Sequence, residues 1–111
     1  MSGMWRKAAL AAAAGFLLSA VGASAMNLAW VHANAAAQSE QRVKAGFDAW
    51  LKETGKDWNV SLLDSGGSGE RTASNLQDAA SRGVDAIIIT MADLRASRAA
   101  LDAAIKANIP I

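Results

Sequence analysis

The 111-residue chain contains no cysteine. Disulfide bridges, thiolate metal centres, cysteine nucleophiles and a lipid-modified cysteine tether are thereby excluded. Histidine occurs once, at position 32. No histidine–carboxylate–nucleophile set stands out, and no metal-ligand cluster has credible spacing. An excess of one charge sign is missing too, with 11 basic and 10 acidic residues. Setting aside Arg6 and Lys7 leaves nine basic against ten acidic, a formal −1. Without a basic cluster there is no nucleic-acid surface. A long hydrophobic run is also absent. The longest covers residues 8–21, 14 residues interrupted by Gly15 and Ser19, whereas a membrane span needs about 20.

That short run has its own meaning. Arg6 and Lys7 precede it, and Ala23-Ser24-Ala25 follows it. A positive start, an apolar stretch and a small-x-small site make an export signal, cleaved after Ala25. Residues 1–25 are therefore set aside as a signal peptide, and the fold is sought in residues 26–111.

Those residues alternate between strand and helix. Strands are expected at 27–32, 58–63 and 85–90, with a fourth beginning at Ile109. Their centres are apolar on both alternating faces, which suits a sheet covered on both sides. Helices are expected at 37–53, 70–82 and 94–107. Their inward stripes are Val43, Phe47, Trp50 and Leu51, then Ala73, Leu76 and Ala80, then Leu94, Ser97, Leu101, Ala104 and Ile105. Gly55, Gly83 and Asn108 sit where left-handed helix ends belong, and the single proline, Pro110, bars further helix. Ser68 and Asp93 are the expected N-caps of the second and third helices.

The fold class is α/β: a three-layer parallel sheet of βαβαβα plus the start of strand four, in the order 2-1-3-4. The pattern reads as the front of a larger α/β protein. In such sheets ligands bind beyond the carboxyl ends of the strands, at the switch between strands one and three. Three loops lie there: 32–38, 64–69 and 90–93. His32 is either a ligand donor or a satisfied strand-end residue. Asn34 and Gln38 carry amides, which both donate and accept and so suit hydroxyl-rich ligands, although Asn34 could instead cap the helix. Thr90 reaches the same cleft. The glycine-rich run 65–69 has neither phosphate-loop spacing and reads as a strand–helix turn. Trp30, Phe47 and Trp50 read as core.

The run Asn75-Leu76-Gln77-Asp78-Ala79-Ala80-Ser81-Arg82-Gly83-Val84-Asp85-Ala86-Ile87-Ile88-Ile89-Thr90, then Asp93, then Ala104-Ile105-Lys106-Ala107-Asn108-Ile109-Pro110-Ile111, resembles the periplasmic sugar-binding proteins of the ribose/galactose type. Lys44-Ala45-Gly46-Phe47 fits the same pattern, and the likeness covers residues 27–111. It implies an incomplete first lobe of a two-lobed periplasmic-binding fold that closes on a small ligand about a hinge. It also implies the substrate-binding component of an ABC-type uptake transporter for a sugar or polyol. The partner would be the transporter's membrane permease, with no catalysis, no cofactor and no nucleic acid. With no cysteine to tether it, the product would be free in a periplasm. The alternatives are the ligand-binding ectodomain of a membrane sensor and an exported α/β enzyme. The latter would need a phosphate loop after strand one, where residues 33–37 hold no glycine.

One departure bears on the ligand. Ribose-type members carry an asparagine and two stacking aromatics in the first loop, where this chain has Ala37-Gln38-Ser39-Glu40. By position Ser39 and Glu40 become candidate contacts. Glu40 could equally lie exposed on the first helical turn, where the helix dipole favours an acid.

Overall fold

A computed structural model of the chain describes residues 25–111. Apart from Ala25, the signal-peptide reading falls outside the described residues.

The elements are β1 (Met26–His32), α1 (Gln38–Thr54), β2 (Trp58–Asp64), α2 (Gly69–Arg82), β3 (Ala86–Thr90) and α3 (Arg98–Lys106). All strand pairs are parallel and the order is β2-β1-β3, as the alternating pattern requires. Residues 109–111 are not a regular strand, but the Ile87 amide donates to the Pro110 carbonyl at 2.9 Å. The end of the chain thus runs beside β3, on the side expected of a fourth strand.

Alternation along the strands sorts their side chains onto two faces. One face meets α2 and α3. Its core joins Ala29, Val31 and Ile87 to Leu76, Ala79, Ala100 and Ala104, closed by Ile109. Alanine at the helix contacts lets both helices lie close on the sheet. The other face carries Leu28, Trp30 and His32 and meets α1. There the packing runs through rings: Trp30 to Phe47 at 5.0 Å, Phe47 to Trp50 at 6.0 Å and Trp50 to Trp58 at 5.4 Å between centroids. Only the central strand is buried on both faces. In β2 and β3, which flank it, most residues are half-buried or exposed.

The helix ends follow local chemistry. Gly55, Gly83 and Asn108 have φ of 66°, 66° and 58°, the left-handed stops read from the sequence. Ser68 caps α2, its side chain accepting from the Arg71 amide at 3.2 Å.

The third helix departs from expectation. It begins at Arg98 rather than at residue 94, and Asp93 does not cap it. Asp93 turns instead to Arg95, accepting from its amide at 3.0 Å and from its guanidinium through Nε and Nη2. A cation two residues away outcompetes bare helix N–H groups, because a paired fork adds charge to the hydrogen bonds. The inward stripe also shifts. Ser97, Ala100 and Ala104 are buried, whereas Ile105 is 64% exposed. On α2 the buried set is Thr72, Leu76 and Ala79, with Ala73 and Ala80 at its margins. Trp50, read as core, is 40% exposed at the edge of the ring series, with the Lys56 ammonium 5.9 Å from its ring.

Candidate functional site

The carboxyl ends of the three strands form a polar row. Parallel register sets His32 of β1 between Asp64 of β2 and Thr90 of β3. Each side chain of this row has a defined task.

Glu40, on the first turn of α1, is only 1% exposed. The exposed alternative for this residue is therefore ruled out. Its Oε2 accepts from the Thr90 hydroxyl at 2.7 Å, and its Oε1 accepts from the Ala33 amide at 3.2 Å. The Thr90 hydroxyl in turn accepts from the Trp30 indole N–H at 3.1 Å. His32, also 1% exposed, places Nδ1 3.2 Å from Glu40 Oε2. That is ion-pair distance without a directed hydrogen bond, and neither ring nitrogen has a hydrogen-bond partner among the described residues. The Trp30 and His32 rings lie 4.6 Å apart. One carboxylate thus joins the start of α1 to the ends of β1 and β3.

Asp64 does the same for the other side. Its Oδ1 accepts from the Ala35 amide at 2.9 Å and the Gly66 amide at 3.0 Å. These two backbone donors, with smaller help from the Arg71 guanidinium, hold its carboxyl below the ordinary range. The loop after β1 is pinned further. The Ala33 amide also donates to the Thr90 carbonyl at 3.2 Å, and the Ala33 carbonyl accepts from the Gly67 amide at 2.7 Å.

The glycine-rich turn is consequently well anchored. Ser65 is buried, donates its amide to the His32 carbonyl at 3.0 Å, and accepts at Oγ from Asn75 at 3.3 Å. Gly66 and Gly67 take φ of 56° and 81°. The left-handed backbone at Gly66 and Gly67, rather than any fixed neighbour, is what favours glycine in this turn.

The sequence candidates divide into two groups. His32, Glu40 and Thr90 are brought together as an internal scaffold. Asn34, Gln38 and Ser39 stand in front of it, Asn34 half-buried and the other two exposed. Asn34 does not cap α1, whose N-cap is Ala37 with no side-chain bond. Its Oδ1 instead accepts from the Ala36 amide at 3.1 Å, tightening the loop. The anchoring role of Asp64 was not read from the sequence. Its signal was an aspartate followed by a glycine two residues on, which favours a side-chain-capped turn. Among the described residues no group of three or more histidine, aspartate or glutamate side chains could hold a metal, and no helix is long and apolar enough to cross a membrane.

Two outcomes test this account. Glu40→Ala in the full-length protein should cost about 1–3 kcal/mol for each buried partner left unsatisfied, measured by denaturant unfolding. A loss no larger than that of an exposed-site control such as Gln41→Ala would remove Glu40 from the centre of the scaffold. The second outcome concerns acid. Arg95, by side-chain and then backbone bonds, holds the Asp93 carboxyl down at about 2, from the ordinary 3.8. A depressed folded-state pKa contributes stability above the unfolded value and loses it as pH falls through the folded one. Stability should therefore decline from about pH 4 towards about 2. Asp93→Asn should flatten that decline, and an unchanged slope would show that the exposed pair contributes nothing.

A family model for the periplasmic binding protein domain matches residues 28–111. No curated protein matches the sequence. Among solved structures, an ABC transporter periplasmic solute binding protein from Actinobacillus succinogenes 130z, with bound D-allose, is similar with a TM-score of 0.65 and 26% identity. The match covers 78% of this chain and 30% of that one. A galactofuranose binding protein matches with a TM-score of 0.66, 16% identity, and coverage of 77% and 28%. A Mycobacterium smegmatis protein in complex with β-D-fucofuranose gives 0.61, 21%, and coverage of 78% and 28%. The last two likenesses bear on fold alone. The chain spans less than a third of the length of each of these structures. With the family model matched over nearly all the described residues, the chain belongs to the periplasmic binding protein domain family.

Proposed function

We propose that this chain is the front of the first lobe of a solute-binding protein, the substrate-binding component of an ABC-type uptake transporter for a sugar or polyol. The observation that carries the reading is the polar, rigidly anchored carboxyl edge at the switch between β1 and β3. Asn34, half-buried, and Gln38 and Ser39, exposed, stand there beside a scaffold whose carboxylates are held by internal hydrogen bonds. Such an edge is pre-organised for hydrogen bonding, so little ordering entropy is lost on binding. The uncapped first turn of α1 adds backbone N–H donors at the same place. A sugar is favoured because the solute-binding protein of 26% identity holds D-allose.

In this reading His32, Glu40 and Thr90 set the shape of the site, and Asn34, Gln38 and Ser39 touch the ligand. The partner is a membrane permease, and no cofactor takes part. The protein works in the periplasm after cleavage following Ala25. Residues 1–25 are the signal peptide and 26–111 a partial lobe.

Isothermal titration of the full-length protein with D-allose and a panel of pentoses, hexoses and polyols tests the cargo. At least one member should bind. Alanine at Asn34, Gln38 or Ser39 should then remove about 1–3 kcal/mol, or roughly tenfold to hundredfold in affinity. If none of the three replacements weakens binding, the contact assignment fails; if no sugar or polyol binds, the cargo class fails. For the export step, mass spectrometry of periplasmic protein should find Met26 as the first residue. A mature pool that retains Leu17 and Leu18 would overturn the cleavage site.

A further inference from the structure

Residue 91 is the one place on the binding edge where backbone and side chain both run against local preference. Met91 follows Thr90 directly and takes φ of 55°. An unbranched apolar side chain gains nothing from that left-handed conformation, which glycine and asparagine adopt at far lower cost. The side chain is also 61% exposed. An exposed methionine held at positive φ is a costly arrangement in a loop whose neighbours are otherwise well satisfied.

Its position narrows what it could serve. Thr90 is fixed from three directions: by Glu40 and Trp30 at its hydroxyl and by the Ala33 amide at its carbonyl. Met91 therefore lies just beyond the carboxyl end of β3, beside the loop after β1, at the switch point where ligands of such sheets lie. Leu94, also exposed, sits three residues further on, in the turn that leads into α3. The loop after β1 offers only alanine and polar side chains from residue 33 to 40. A sugar, however, presents apolar C–H faces as well as hydroxyls, and hydrogen bonds alone leave those faces wet.

Resting on the sugar-binding reading, we propose that Met91 is an apolar contact for the C–H face of the bound sugar. It supplies from the end of β3 the surface that the loop after β1, without an aromatic, does not. A flexible thioether chain can follow a non-planar C–H surface closely, which suits a furanose or a puckered ring as well as a flat pyranose face.

The test uses full-length Met91→Gly and Met91→Leu, titrated with whichever members of the panel (D-allose included) bind the wild type. Glycine relieves the backbone and removes the contact. Its Tm should be unchanged or raised while affinity falls about tenfold. Leucine keeps the apolar volume on the same strained backbone and should bind within about threefold of wild type. A purely structural role would leave the affinity of the glycine variant unchanged, whatever its Tm. Unchanged affinity in Met91→Gly overturns the inference and leaves the sugar-binding reading standing. A wild-type protein that binds no member of the panel overturns both.

Discussion

The Glu40 carboxylate is the contact on which the upper edge of this structure depends. Two oxygens receive a backbone amide from the first loop and a hydroxyl from the end of β3, with the His32 ring against one of them. A buried carboxylate is expensive unless its lone pairs are filled. Here the filling groups come from two separate segments of chain, the loop after β1 and the end of β3, so the carboxylate can be buried only when both are in register with α1. Parallel pairing of β1 with β3 sets the heights of His32 and Thr90, and α1 delivers Glu40 between them. Sheet register and loop shape are in this way one constraint.

Asp64 extends that constraint to β2. Its two backbone partners belong to different loops, one after β1 and one after its own strand. With the Gly67–Ala33 bond they lace the two loops together. The result is an edge whose polar groups are used internally near the sheet and offered outward only in front of it. A binding site gains from such division, because the outward groups keep their positions when no ligand is present.

The architecture was legible in the sequence because it rests on period and punctuation. Three apolar runs, three amphipathic stretches and the stops at Gly55, Gly83 and Asn108 define it without reference to distant contacts. The site was legible only as a location. His32, Glu40 and Thr90 were each marked, but their mutual satisfaction depends on register across strands some tens of residues apart. No local pattern reports that. Helix three was misplaced for a similar reason: Asp93 looks like a cap until Arg95 is seen to take it. Ile105 fell outward because the apolar stripe of α3 is carried by alanines, which hydrophobic reading undervalues. Trp50 was mis-sorted as core because its neighbours Trp58 and Lys56 lie at the margin of the sheet rather than within it.

The ring series across α1 has an optical consequence. Trp30, Phe47, Trp50 and Trp58 follow one another at centroid spacings of 5.0, 6.0 and 5.4 Å, and the last spacing, between two indoles, is close enough for excitation to pass between them. Trp50 and Trp58 are therefore placed to emit as a coupled pair rather than as separate rings. Trp30, which meets that pair through Phe47, is hydrogen-bonded to Thr90 at the carboxyl end of β3. A rearrangement at that hydroxyl would alter the surroundings of the Trp30 indole, so its emission reports on the polar edge of the sheet.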